Sequence, residues 1–274
     1  MPGLDKLATL WHSDVGIEIM SYERELRLAL EIVRKAGQKM LHYFGQPVPV
    51  EEKYDASPVT LADRECENFL REQLETSFAE DGILGEEGTC IPSRSGRRWI
   101  IDPIDGTRDF IRNIGFWSIQ MALQVGEQIV LGIIYCPAAN QMLYAVSGSG
   151  CFLNGNRVMA SEIKELDKSI LMVSGFKAAW DTWPHEGLKE LTQRCWTVRC
   201  YGGSYDIVML ASGKADIWIS GSGMEWDYAP VKIVAAECGA RFMTRDGNDR
   251  LDARNCLVCA PGLEAQLRKL LGIS

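Results

Sequence analysis

Residues 99–107 read WIIDPIDGT and hold the densest chemistry in the chain. An apolar run, predicted as a strand, delivers Asp102 to its C-terminal end. Pro103 fixes φ and lacks an amide donor, so regular pairing is expected to stop there. Asp105 follows three residues after Asp102. Gly106 permits a tight turn with close backbone approach, and Thr107 stands where a helix over 107–112 can begin. Two carboxylates in this setting can converge on divalent cations, and amides at a helix start can hold phosphate oxygens. An acidic turn that only caps a helix would have the same composition. Further acids recur at comparable places. Glu86 and Glu87 lie between Gly85 and Gly88, just past the apolar pair Ile83 and Leu84. Asp227, after Trp226, opens a predicted helix behind another apolar run.

The elements that must carry these residues are legible from periodicity. Leu26, Leu30, Val33, Ala36, Met40, Leu41 and Phe44 recur at helical spacing, and Gly45 and Pro47 stop that helix. A second helix starts at Thr60, where Thr60 and Asp63 have the spacing of a capping box. Its inner stripe is Ala62, Cys66, Phe69, Leu70 and Leu74. Strands are predicted over 98–101, 117–125, 128–136 and 141–146, with Gly126 and Glu127 turning the second into the third. The Gly- and Asn-rich stretch 148–156 is the candidate subdomain boundary. Beyond it, strands over 169–173, 197–201, 215–220 and 257–260 alternate with helices over 186–195, 205–211, 227–237 and 262–271. Residues 1–20 read as a short helix or an arm. Sheets and helices in both halves imply a layered α/β or α+β chain.

Composition sets outer limits. The 274 residues carry 29 Lys+Arg against 37 Asp+Glu, a net charge of −8. That balance argues against non-specific nucleic-acid binding, but not against a small phosphorylated ligand, because bound cations can reverse a local field. No run of eighteen apolar residues occurs, so no membrane span is expected, and no secretory leader is evident. The nine cysteines are scattered and odd in number, which fits reduced thiols and a cytoplasmic location. Cys256 and Cys259 form one CxxC without a second pair or a nearby His, so a buried strand is preferred over a zinc site. His12, His42 and His185 fall away from every motif.

These motifs together resemble the inositol monophosphatase superfamily. DPIDGT at 102–107 is similar to its first signature. WDYA from Trp226, with ECG at 237–239, is similar to its second. GEE at 85–87 and PVTLAD at 58–63 fall in the expected order, NGN at 154–156 resembles the family's usual turn, and the match runs from about Tyr22 to the C-terminus. The resemblance implies an α+β fold, a layered α-β-α-β-α sandwich of the inositol monophosphatase / fructose-1,6-bisphosphatase type. It would comprise a metal-binding subdomain over 21–150 and an α/β subdomain over 151–274, packed as one unit. It also implies hydrolysis of a small phosphate monoester that depends on two or three Mg²⁺ ions, with Mn²⁺ able to substitute, lithium sensitivity and a homodimer. By motif position, Glu86, Asp102 and the Ile104 carbonyl would hold a first cation. Asp102, Asp105 and Asp227 would hold a second, and Glu87 would touch a third through water. Thr107 and Asp63 would orient the attacking water, with Glu86 serving the cation that activates it. Gly106 and Thr107 amides would bind phosphate. An all-oxygen donor set suits Mg²⁺ or Mn²⁺ rather than zinc.

Other readings fit less well. A covalent aspartyl phosphatase places its second Asp two residues on, not three, and no cysteine sits in a phosphate loop ending in Arg. A non-catalytic acidic metal-binding regulator would not need the full set of acids with Thr107. The chain departs from inositol phosphatases at Arg108 and Asp109, where those enzymes usually carry Thr-Asn. This looks more like a histidinol-phosphate phosphatase or a 3′(2′),5′-bisphosphate nucleotidase. Ser220 stands where the family's inositol-contacting Glu is expected, and Ser204 would line the leaving-group pocket.

Overall fold

The computed structural model describes residues 22–53, 57–202 and 204–274. The expected arm over 1–20, with His12, lies outside them. Helix α1 (Glu23–Tyr43) buries Leu26, Leu30, Val33, Ala36 and Met40. Leu41, expected on that stripe, is instead exposed, one step around the helix from Met40. Strands β1 (Val50–Glu52) and β2 (Pro58–Thr60) pair as a small antiparallel ladder. Helix α2 (Leu61–Ser77) then starts at the expected capping box. The Thr60 hydroxyl accepts from Ala62 N at 3.1 Å, and Thr60 N donates to Asp63 Oδ2 at 2.7 Å.

The next elements are β3 (Gly82–Gly85), β4 (Cys90–Ile91), β5 (Arg97–Asp105), α3 (Thr107–Ile111), β6 (Ser118–Val125), β7 (Gln128–Cys136), β8 (Gln141–Val146), β9 (Gly150–Leu153) and β10 (Asn156–Val158). Eight of these strands form one sheet in the order β10-β9-β8-β7-β6-β5-β3-β4. The stretch 148–156, expected as a boundary, therefore supplies turns and strands of this sheet, which continues to Val158. The hairpin of β6 and β7 is core, buried along nearly its whole length.

The second half begins with β11 (Ile170–Ser174), α4 (Phe176–Thr182), α5 (His185–Arg194), β12 (Thr197–Arg199) and α6 (Tyr205–Ala211). It closes with β13 (Ile217–Ser220), α7 (Glu225–Glu237), β14 (Arg241–Met243), β15 (Cys256–Cys259) and α8 (Glu264–Leu271). Its five-stranded sheet has the order β12-β11-β13-β15-β14. Helix α7 begins two residues before the expected start.

Strand alternation shows how the layers stack. Trp99 and Ile101 pack with α1 and α2, whereas Ile100 between them faces the α6 and α7 layer. In the other sheet, Trp218 joins that same middle layer, while Ile217 and Ile219 face α5 and α8. Both sheets are covered on both faces, so their strands read as near-continuous apolar runs. The result is the expected α-β-α-β-α sandwich. Gly132 on β7 sets the spacing, since a Cβ there would lie 2.4 Å from Ile233 and 2.9 Å from Pro230 of α7. The same alternation sends Cys256 to one core and Cys259 to the other, so this CxxC cannot chelate one ion.

Candidate active site

β5 does not end at Pro103. It pairs Asp102 with Gln120 and resumes at Asp105 with Ser118, so three steps on β5 oppose two on β6. In an unbroken strand, residues three apart point to opposite faces. The irregularity re-aims the strand end and lets both carboxylates meet. One oxygen each from Asp102, Asp105 and Asp227 lie within 4.8 Å of one another. Asp227 reaches them from the first turn of α7, where it accepts from Met224 N at 2.5 Å.

A cleft of about 640 Å³ gathers most of the expected site. Glu86, Asp102, Ile104, Asp105, Gly106, Thr107, Arg108 and Asp227 all line it. Gly106 is left-handed, with φ 87°, and starts α3. Asp63 lies beneath, fully buried. Its Oδ2 takes two bonds from Thr60, and its Oδ1 accepts from the Thr107 hydroxyl at 3.2 Å. That hydroxyl also lies 3.1 Å from the Ile104 carbonyl.

The electrostatics of this cluster are unfavourable without cations. Burial raises the Asp102 carboxyl well above the usual range, and the charges of Glu86, Asp105 and Asp227 push it further. Burial and Asp105 push Asp227 up to about 8. Burial raises Asp105 as well, opposed by bonds from Ser204 and Ser118. Oδ1 of Asp102 is buried without a hydrogen-bond partner. A fully buried carboxylate oxygen without a donor, among all-oxygen ligands, fits a hard divalent cation.

Some expected residues sit elsewhere. Glu87 points away from the cleft and bonds to Lys53 at 2.5 Å. Burial pushes its carboxyl up to about 7. Ser204 is buried behind the site. Its amide donates to Asp105 Oδ2 at 2.6 Å and its hydroxyl accepts from Gln120 at 2.7 Å, so it braces a carboxylate. Ser220 is turned into the protein, where its hydroxyl meets the Ser222 carbonyl and the Tyr228 hydroxyl. His42 bonds to the Gln38 carbonyl on α1, and His185 stacks on Trp180 at 4.7 Å, both remote from the acids.

Three residues of consequence are absent from the motif reading. Lys53 bonds to Glu86 at 2.9 Å as well as to Glu87. Burial opposes its charge, but the two carboxylates more than offset this. Glu67, only 3 % exposed, accepts from Glu87 N at 2.7 Å and Thr89 N at 2.8 Å, fixing the loop that presents Glu86. Gln120 holds Ser204. Glu67 did leave a sequence signal, because Asp63, Glu67, Leu70 and Leu74 share one helix face. Two acids on an apolar stripe need partners.

Carboxylates gathered at the strand ends of this five-layer sandwich, with a Thr–Asp pair beside them, fit a metal-dependent phosphatase. The chain belongs to the inositol monophosphatase family, whose model matches residues 21–272. It is a phosphoric monoester hydrolase of that family. A histidinol-phosphatase of Chlorobaculum parvum is 36% identical over 241 residues, covering 85% of this chain and 93% of the relative. A histidinol-phosphatase of Mycobacterium tuberculosis is 33% identical, covering 83% and 90%. The solved structure of a Thermotoga maritima IMPase superposes with a TM-score of 0.83 at 26% identity, covering 91% of this chain and 97% of that one. Among the described residues, no helix is long and apolar enough to cross a membrane.

Proposed function

We propose that this chain hydrolyses a small phosphate monoester with water in a Mg²⁺-dependent reaction. The observation that carries this reading is the convergence of Asp102, Asp105 and Asp227 beside Thr107. Glu86, Asp102 and the Ile104 carbonyl would hold one cation, and Asp102, Asp105 and Asp227 a second. Glu87 would reach a third through water once Lys53 releases it. Mg²⁺, or Mn²⁺ in its place, supplies the positive charge that favours ionised water and neutralises the phosphoryl oxygens. Asp63 accepts a hydrogen bond from the Thr107 hydroxyl, which would leave the Thr107 oxygen to accept one from the attacking water. Gly106 and Thr107 amides would orient the phosphate. Water oxygen bonds to phosphorus as it gives up a proton, the ester P–O bond breaks, and the departing alkoxide takes up that proton to leave as the alcohol. Positioning and charge account for most of such a reaction.

The test is phosphate release with Mg²⁺, abolished by EDTA and by Asp105→Asn. Near-normal kcat in Asp105→Asn would overturn the assignment. For the substrate, two observations favour histidinol phosphate over inositol phosphate. Ser220 offers no carboxylate to inositol hydroxyls and faces away from the cleft, and the histidinol-phosphatases described above are similar over most of their length. A bisphosphate nucleotide has no comparable support. The exposed Trp196 and Met159 support a homodimer, which light scattering in solution checks. Nine free thiols support a reducing compartment such as the cytoplasm.

A further inference from the structure

The wall of the cleft away from the metal cluster has its own chemistry. Asp109 lies on α3 and lines it, as do Phe116 and Tyr201. Phe116 packs in tilted contact with Tyr201 at 5.4 Å and with Tyr205 at 4.7 Å between ring centroids, so this wall is aromatic. Asp109 is half-buried. Among the described residues, no donor bonds to its carboxylate and no cation pairs with it. Arg108 is its neighbour in sequence, but adjacent residues on a helix diverge. The Gly202 backbone closes over the carboxylate, and a Cβ there would overlap it. Beneath Tyr201 lies a second acid, Asp206, buried and bonded to Tyr201 N at 3.2 Å. An unpaired carboxylate near a second acid, in a cleft wall that also holds aromatic rings, is a setting that lacks only a cation. Burial and the Asp105 charge raise the Asp109 carboxyl, a cost that a bound cation would relieve.

We propose that Asp109, with the Phe116 and Tyr201 rings beside it, selects leaving groups that carry a primary ammonium, so that the substrate is an amino-alcohol phosphate. Asp109 is then a specificity-determining residue that touches the alcohol half of the ester and takes no part in the P–O cleavage. This rests on the phosphatase reading above and adds the basis of its selectivity. Inositol 1-phosphate has no ammonium and would leave Asp109 unpaired, a cost of the kind that discriminates strongly between substrates.

The experiment compares kcat/KM for histidinol phosphate and its deamino analogue, 3-(imidazol-4-yl)propyl phosphate, at about pH 8, where imidazole is neutral. The wild-type enzyme should prefer the amino ester by about tenfold or more, the scale of one charge-assisted bond. In Asp109→Asn that ratio should collapse to within about twofold of unity. A wild-type enzyme without the preference, or a preference that survives Asp109→Asn, overturns the proposal. If Asp109→Asn fails to fold, the wild-type pH profile replaces it. The preference should vanish as the ammonium deprotonates, and a preference unchanged through that titration overturns the proposal. Turnover of inositol 1-phosphate alone would overturn the amine site and leave the phosphatase reading intact. No phosphate release from any ester with Mg²⁺ would defeat the phosphatase reading itself.

Discussion

Glu67→Gln is the most informative substitution outside the cleft. Glu67 is buried on α2 and accepts two backbone N–H bonds, from Glu87 at 2.7 Å and Thr89 at 2.8 Å. Gln keeps one acceptor oxygen but turns an NH₂ toward the other amide. One charge-assisted bond, worth about 1.5–3 kcal/mol, is lost, and a buried donor is left without a partner. The combined cost is about 2–4 kcal/mol. At roughly 2–4 °C per kcal/mol for a chain of this size class, the melting temperature should fall by about 5–15 °C. The loop released is the one that carries Glu86, so the Mg²⁺ concentration for half-maximal activity should rise by about 10- to 100-fold. Thermal melts in EDTA and Mg²⁺ titrations of phosphate release measure the two effects separately. Gly85→Ala attacks the same contact from the other side, because a Cβ there would lie 2.6 Å from the Glu67 carboxyl. Both variants should share the phenotype. A melting temperature within about 1 °C of wild type, together with unchanged Mg²⁺ dependence, would refute this role for Glu67.

In the metal-free protein, Asp227 near 8 and Glu87 near 7 stand above the ordinary values of 3.8 and 4.5, so the folded state holds protons that the unfolded chain has released. Stability in EDTA should therefore fall as pH rises from about 5 to 8, and saturating Mg²⁺ should remove that slope; a melting temperature that rises with pH in EDTA contradicts it. Thr107→Val removes the hydroxyl between Asp63 and the cleft and should lower kcat by about 100-fold, while Thr107→Ser keeps most of it; equal rates for Val and Ser would exclude the hydroxyl's role. Lithium should inhibit at millimolar levels by competing beside Asp227, and unchanged activity at saturating Mg²⁺ would count against that site.

Much of the fold was legible because both sheets are covered on both faces. The run over 129–136 stays apolar for eight residues and ends at Pro137, and β7 adds only Gln128 to it. The short edge elements were not legible. β1, β4 and β14 have two or three residues, too few to show a period, and their existence depends on the neighbour they pair with. The stretch 148–156, expected as a boundary, hid strands for a related reason. Its glycines and asparagines do make turns, but the residues between them pair along β8.

The candidate metal ligands were legible as residue types at a spacing, but their convergence was not. Asp102 and Asp105 sit three apart on a strand, which by alternation alone should separate them. Only the shifted register against β6 brings them together, with Asp102 opposite Gln120 and Asp105 opposite Ser118, residues with no motif of their own. The capping box at Thr60 shows the opposite case. Its spacing was read as a helix start, and it is one, but Thr60 occupies Asp63 Oδ2 with two donors and so reserves Oδ1 for Thr107. A structural cap thus orients the carboxylate proposed to act with Thr107. Glu67 extends from the same helix face one turn later to the Glu86 loop. Helix α2 therefore carries both the acceptor for the Thr107 hydroxyl and the brace for the loop proposed to bind a cation. A change in its packing on β5 should move the two together, and the two backbone bonds that Glu67 accepts offset the cost of burying an acid on an apolar stripe.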